Sequence, residues 1–136
     1  MLQKRVIPCL LLHKGGLYKT EKFKKPTYIG DPINAIKIFN EKEVDELMLL
    51  DIDASVDNKE PNYKMIEDIA SECFMPLCHG GGVKNIEQMK KIYALGVEKV
   101  SLSSQAVINP NLIKEAANIF GNQSVIVTID IKKDFW

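Results

Sequence analysis

Two stretches of this chain bring groups suited to an oxyanion to the end of an apolar run. In CHGGGVKN, the glycines Gly80-Gly81-Gly82 follow the run Met75–Cys78. Consecutive glycines let backbone N–H groups approach an anion with no side chain in the way. In VSLSSQAVINP, Ser103 and Ser104 close the run Lys99–Leu102 and offer hydroxyl and amide donors. If the two runs are neighbouring strands, both turns meet at one rim, and Gly81, Gly82, Ser103 and Ser104 make a phosphate site. Taken singly, each is an ordinary tight turn or polar loop. LMLLDIDAS sets Asp51 and Asp53 two apart, on one face if a strand runs through both. They are either the mouth of a site or a strand running out into solvent. His13 and His79 are the only histidines and lack ligand spacing, so no metal site is expected. Cys9, Cys73 and Cys78 read as buried, reduced thiols in preference to nucleophiles. RVIPCLLLHKGG raises the opposite problem: its run ends on Leu10-Leu11-Leu12, which have no proton to give.

Positioning these groups requires a particular order of elements. Short apolar runs, read as buried strands, are Val6–Leu12, Leu47–Ile52, Met75–Cys78, Lys99–Leu102 and Ser124–Ile131. Helical patterns fall between them, at about Ile33–Asn40, Tyr63–Cys73, Ile86–Leu95 and Leu112–Phe120. Asn85 with Gln88 three residues on opens one helix and Gly96 stops it; Asn109-Pro110 and Gly121 bracket another. The stretch after Gly15-Gly16 reads as a basic loop. A helix in each strand-to-strand step makes the sheet parallel, with right-handed crossovers. Five strands and four helices would complete an open doubly wound domain, or a little over half of a (β/α)8 barrel, which typically needs ~250 residues. IDIKKDFW follows its strand with no covering helix and would leave Phe135 and Trp136 near an open edge. That favours the barrel. Residues 1–136 are then the N-terminal portion of one barrel domain, and self-association is expected.

Composition narrows the partners. The 136 residues carry 18 basic and 18 acidic side chains, a net charge of zero. Such a balance points away from nucleic acid and from anionic membranes. Runs such as LMLL and PCLLL fall far short of the roughly 20 residues of a membrane helix. MLQKRVIP lacks the pattern of a signal peptide, and three unpaired cysteines suit a reducing compartment, so a cytoplasmic chain is expected.

Taken in order, MLQKRVIPCL, GDPINAIKIFNEKEVDELMLLDIDAS, GGGVKNIEQ, LGVEKVSLSSQAV, NPNLI and FGNQSVIVTIDIK resemble the cyclase subunit of imidazole glycerol phosphate synthase. The resemblance covers essentially the whole chain, corresponding to the N-terminal half of that barrel plus its fifth strand. It implies a lyase of histidine biosynthesis that takes ammonia from a partner glutaminase at the N-terminal face. The ammonia then passes through the barrel to a bisphosphorylated ribulosyl substrate at the C-terminal face. It implies no cofactor. By position, Arg5, Glu46 and Lys99 match the charged gate of the ammonia path, and Lys19 matches a mobile substrate-contacting lysine. Gly82, Ser103 and Ser104 match a phosphate site, where the family more often has asparagine and threonine in place of the serines. Asp130 matches the fifth-strand catalytic aspartate.

The first-strand catalytic aspartate of that family falls on Leu11. General acid–base catalysis typically contributes ~10²–10⁴-fold, so cyclisation is expected to be crippled unless another acid, such as Asp51, substitutes. IPCLLL, KTEKFKKPTYIGDPINAIKIFNEKEVDELMLLDIDAS and ASECFMPLCHGGG look closer to a divergent branch encoded with bacterial surface-polysaccharide genes. Those proteins are thought to pass ammonia to an enzyme that makes acetamidino sugars. Three readings follow: an ammonia-handling subunit of a glutamine amidotransferase, a histidine-pathway cyclase with an altered acid, or a non-catalytic phosphate-ligand or assembly module.

Overall fold

The computed structural model describes residues 2–22 and 24–133. Its strands are β1 (Cys9–His13), β2 (Gly16–Glu21), β3 (Lys24–Gly30), β4 (Leu47–Asp51), β5 (Leu77–Gly80), β6 (Lys99–Leu102) and β7 (Val125–Val127). They form one sheet in the order β3-β2-β1-β4-β5-β6-β7. From β1 to β7 every pairing is parallel; β2 and β3 are an antiparallel hairpin on the β1 edge. The helices are α1 (Pro32–Glu41), α2 (Tyr63–Glu72), α3 (Ile86–Ala94), α4 (Ser104–Ile108) and α5 (Asn111–Phe120).

Local sequence explains the helix starts. Asp31, Asn62 and Asn85 each accept a backbone N–H three residues on, at 3.1, 3.1 and 2.9 Å, satisfying donors that a helix N-terminus leaves free. Pro32 adds a preset φ at the first position of α1. The helices bury Ile36, Ile66, Ile69, Met89, Ile92 and Leu112 against Leu47, Leu49, Leu77, Val100 and Leu102 of the sheet. On β4 the buried residues alternate with half-buried ones, so Met48 and Leu50 face the other way. That second, concave side carries no helix among the described residues. A parallel sheet lined by helices on its outer face and concave on its inner face is a partial (β/α)8 barrel.

Several details differ from the sequence expectations. The basic loop is the β2–β3 hairpin. Lys14 and Gly15 form its two-residue connection to β1, both at positive φ (48° and 76°), which matches the twist of the flanking strands. Among the described residues there are seven strands where five were expected, and five helices where four were expected, the added α4 having only five residues. Residues 6–8 run beside β4, with Met48 N–H donating to the Pro8 carbonyl at 2.9 Å. Pro8 has no N–H to return, which shortens β1 to Cys9 onward. β7 stops at Val127 because β6 turns away after Leu102; its last ladder-like bond runs from Thr128 N–H to the Leu102 carbonyl at 2.9 Å. Cys9 is exposed on the concave side, against expectation, while Cys73 is half-buried and Cys78 buried. Phe135 and Trp136 lie outside the described residues.

Candidate functional site

The glycine and serine turns meet as neighbouring strand ends, because β5 pairs with β6 and Gly80 stands opposite Ser101. They line one cavity of about 380 Å³. Gly81 and Gly82 hold φ of 105° and 72°, conformations that side-chain-bearing residues rarely adopt. A Cβ on Gly81 would overlap the backbone of Asp51, and one on Gly82 would come within 2.5 Å of the Ala54 methyl. Ser103 and Ser104 are exposed at the opposite wall. Sequence reasoning missed five further polar residues of this cavity: Ser55, Asn58, Lys84, Ser101 and Gln105. Ser55 Oγ accepts the Gly82 N–H at 3.2 Å, and Lys84 Nζ donates to Asn58 Oδ1. Lys84 sits two residues past the triple glycine, a signal legible in CHGGGVKN. The start of α3 is fixed beside it, where Lys84 N–H donates to Gln88 Oε1 at 2.7 Å. Glycine amides, serine hydroxyls and an ammonium around a cavity of this size suit a phosphoryl group.

A second, larger cavity of about 610 Å³ occupies the concave face and shares the Gly81, Ser103 and Ser104 rim. Leu11, Cys9 and Leu50 form its apolar side, and Asp51 and Asp130 stand at its mouth. Ser101 and Thr128, hydrogen-bonded to each other through their hydroxyls, tie β6 to the segment that carries Asp130. The hairpin contributes Thr20 and Lys22. Lys19 is on the alternate face of β2, in a separate shallow cleft with Glu21 and Lys25.

Asp51 and Asp53 do not act as a pair. β4 ends at Asp51, and the chain turns. Asp51 Oδ1 accepts the Asp53 and Ala54 N–H groups at 3.0 and 3.2 Å, so this carboxylate shapes the turn. Burial raises its carboxyl above the ordinary value, more than those two amides lower it. Asp53 instead reaches back to β1, with His13 Nδ1 at 2.5 Å from Oδ1 and the Lys14 N–H donating to Oδ2 at 2.6 Å. Burial pushes its carboxyl up, but the Lys14 amide and His13 prevail and hold it below the usual value.

At the other end of the strands, Glu46 joins two cations. Arg5 Nη1 lies 2.7 Å from Glu46 Oε1, and Lys99 Nζ donates to Oε1 and Oε2 at 3.0 and 3.1 Å. Arg5 precedes β1, Glu46 precedes β4 and Lys99 opens β6, so the cluster sits at the N-terminal ends of the strands. Among the described residues no group of histidine, cysteine, aspartate and glutamate is arranged to hold a metal. No described helix is long and apolar enough to cross a membrane.

A partial (β/α)8 barrel with a glycine turn and a serine turn side by side at its C-terminal rim defines the class of protein. The family model "Histidine biosynthesis protein" matches residues 5–135, and the chain belongs to that family. It is 61% identical, over its whole length and 54% of the relative's, to a Pseudomonas aeruginosa protein provisionally named imidazole glycerol phosphate synthase subunit hisF2. A provisionally named subunit hisF3 from Vibrio vulnificus is 59% identical over 98% of this chain and 51% of its own length. The imidazole glycerol phosphate synthase subunit HisF of Methanococcus vannielii is 42% identical over 99% and 50%. The chain thus spans about half the length of the curated relatives it matches.

Proposed function

We propose that this chain is the N-terminal portion of a cyclase-type subunit that receives ammonia from a partner glutaminase and uses it on a phosphorylated small molecule. One observation carries the reading: a charged cluster and an anion cradle lie at opposite ends of the same concave face. The apolar residues Cys9, Leu11 and Leu50 lie between them. Uncharged ammonia crosses such a surface at lower cost than an ion, since burying a charge is expensive. Arg5, Glu46 and Lys99 are the gate; Gly81, Gly82, Ser103 and Ser104 hold the phosphate; Asp130 is the acid–base group of the rim, with Asp51 a second carboxyl beside it. The partner docks at the N-terminal face, where Phe74 stands exposed, its N–H held by Asn40 Oδ1 at 3.0 Å. A cytoplasmic location suits this chemistry.

Leu11 favours a second reading of the acceptor. With no acid at the end of β1, the ammonia path is kept while ring closure loses a proton-transfer group, as suits delivery of ammonia for amidation of a surface-polysaccharide sugar. The deciding assay supplies ammonium chloride, or glutamine with the glutaminase, and follows consumption of the bisphosphorylated ribulosyl substrate. Turnover supports histidine-pathway cyclisation. Turnover only after Leu11→Asp supports the sugar-amidating branch. Phosphate binding with no turnover and no glutaminase activation would leave a ligand-binding or assembly module.

A further inference from the structure

His13 follows Cys9 and Leu11 on the same face of β1, since alternate residues of a strand share a side. Cys9 and Leu11 line the concave cavity, so His13 is the next residue of that file, one step closer to the rim than Leu11. Its Nδ1 is 2.5 Å from Asp53 Oδ1. Asp53 is itself fixed by the Lys14 amide and is an acceptor only, so Nδ1 carries a proton, and in the neutral ring Nε2 presents its lone pair. Nε2 has no hydrogen-bond partner among the described residues, nor is it among their buried, unsatisfied atoms. Around the ring stand the Asp53 carboxylate from the β4 side, and Lys14 and the Tyr18 ring, edge-on at 4.8 Å, from the hairpin side. A histidine oriented by a carboxylate with its far nitrogen free is an arrangement suited to moving protons.

We propose that His13 is a proton-transfer residue of the rim, oriented by Asp53, which does at the mouth of β1 the acid–base work Leu11 cannot do. The inference rests on the ammonia-using reading above. As ammonia attacks a carbonyl carbon of the substrate, a C–N bond forms and the C–O π bond breaks. Nε2 takes one proton from the attacking nitrogen and returns it to the new alkoxide, leaving a neutral carbinolamine and an unchanged imidazole. Asp53 is a positioning residue: it fixes the tautomer and does not touch the substrate.

Two measurements test this. The chain has two histidines, and His79 is buried. Diethyl pyrocarbonate, read by peptide mapping so that adducts on lysines and the N-terminus are told apart, is expected to modify His13 and not His79, with the reaction at His13 slowed several-fold in Asp53→Asn. A His13 that stays unmodified overturns the proposal whether or not the chain turns over a substrate. In the ammonium-chloride assay with the ribulosyl substrate, His13→Gln is expected to lower kcat ~10²-fold with KM within twofold. Asp53→Asn should lose less, and added imidazole should restore part of the His13→Gln loss. An unchanged kcat in His13→Gln overturns the proposal. If the wild-type chain does not turn over the ribulosyl substrate, histidine-pathway cyclisation fails while the sugar-amidating reading stands, and the pyrocarbonate result alone decides whether His13 is a free, oriented base.

Discussion

Glu46 and Lys99 meet across an intervening strand. Glu46 precedes β4, Lys99 opens β6, and β5 lies between, yet Lys99 Nζ donates to both carboxylate oxygens of Glu46 at 3.0 and 3.1 Å. Two strand spacings are about 9.6 Å, so both side chains reach over β5, where Cys78 faces them. Burial pushes the Cys78 thiol up to about 12, so it remains a neutral, apolar floor beneath the bridge.

Removing one partner should therefore cost more than removing both. Glu46→Ala leaves Lys99 and Arg5 facing each other without an anion, whereas Glu46→Ala with Lys99→Ala leaves only exposed Arg5. Urea melts should show the single variant destabilised by about 1 kcal/mol, with part of that recovered in the double. If the cluster gates ammonia, either change should also lower glutamine-dependent turnover more than ammonium-dependent turnover.

Gly81 tolerates no side chain. Its φ of 105° and the overlap of any Cβ with the Asp51 backbone act together in Gly81→Ala, for an expected loss of about 2 kcal/mol or more. Gly30, with open space around it and no positive φ, is the control: Gly30→Ala should change stability by less than about 0.5 kcal/mol. Thermal melts of the two variants compare them directly.

Asp51 combines a structural and a chemical task that one pair of substitutions separates. Asparagine keeps the oxygen that accepts the Asp53 and Ala54 amides, so Asp51→Asn should fold with near wild-type stability. Asp51→Ala strands those amides and should lose about 1–2 kcal/mol. If the carboxyl also transfers protons, Asp51→Asn loses turnover while keeping its melting temperature.

His79 makes the chain sensitive to acid. It is buried on β5 with no regular hydrogen bond to either ring nitrogen, and burial lowers its pKa to about 4, which a weak contact with the Gly81 backbone offsets only in part. In the unfolded chain it titrates near 6.5. Between these values the unfolded state binds the extra proton, so stability is full above 6.5 and falls as pH drops toward 4, by about 3 kcal/mol in all. His79→Leu should remove this part of the pH dependence, so its advantage over wild type in urea melts should grow from pH 7 to pH 4.5. Equal advantage at both pH values would mean the ring is not held neutral.

The parallel core was legible because apolar runs and helix caps are local: the runs Leu47–Ile52 and Lys99–Leu102 and the helix start at Asn85 follow from near neighbours in sequence. The hairpin was not, because residues 14 to 25 include five lysines and its strands bury little beyond Gly16 and Leu17. Its one clear signal is Lys14-Gly15, a two-residue turn. The His13–Asp53 pair spans 40 positions and depends on where a turn after β4 points, which no periodicity encodes. Cys9 reads as buried by type, yet its side of the sheet carries no helix.

A Cβ on Gly81 would overlap the Asp51 carbonyl, and one on Gly82 would crowd the Ala54 methyl, so the positions that close the sheet's rim are also those proposed to face the anion. Selection for folding and selection for binding act there on one set of positions. A library of substitutions through residues 80–82 should therefore yield few variants that fold yet fail to bind anion, while substitutions at Ser103 and Ser104, exposed on the far wall, should yield many.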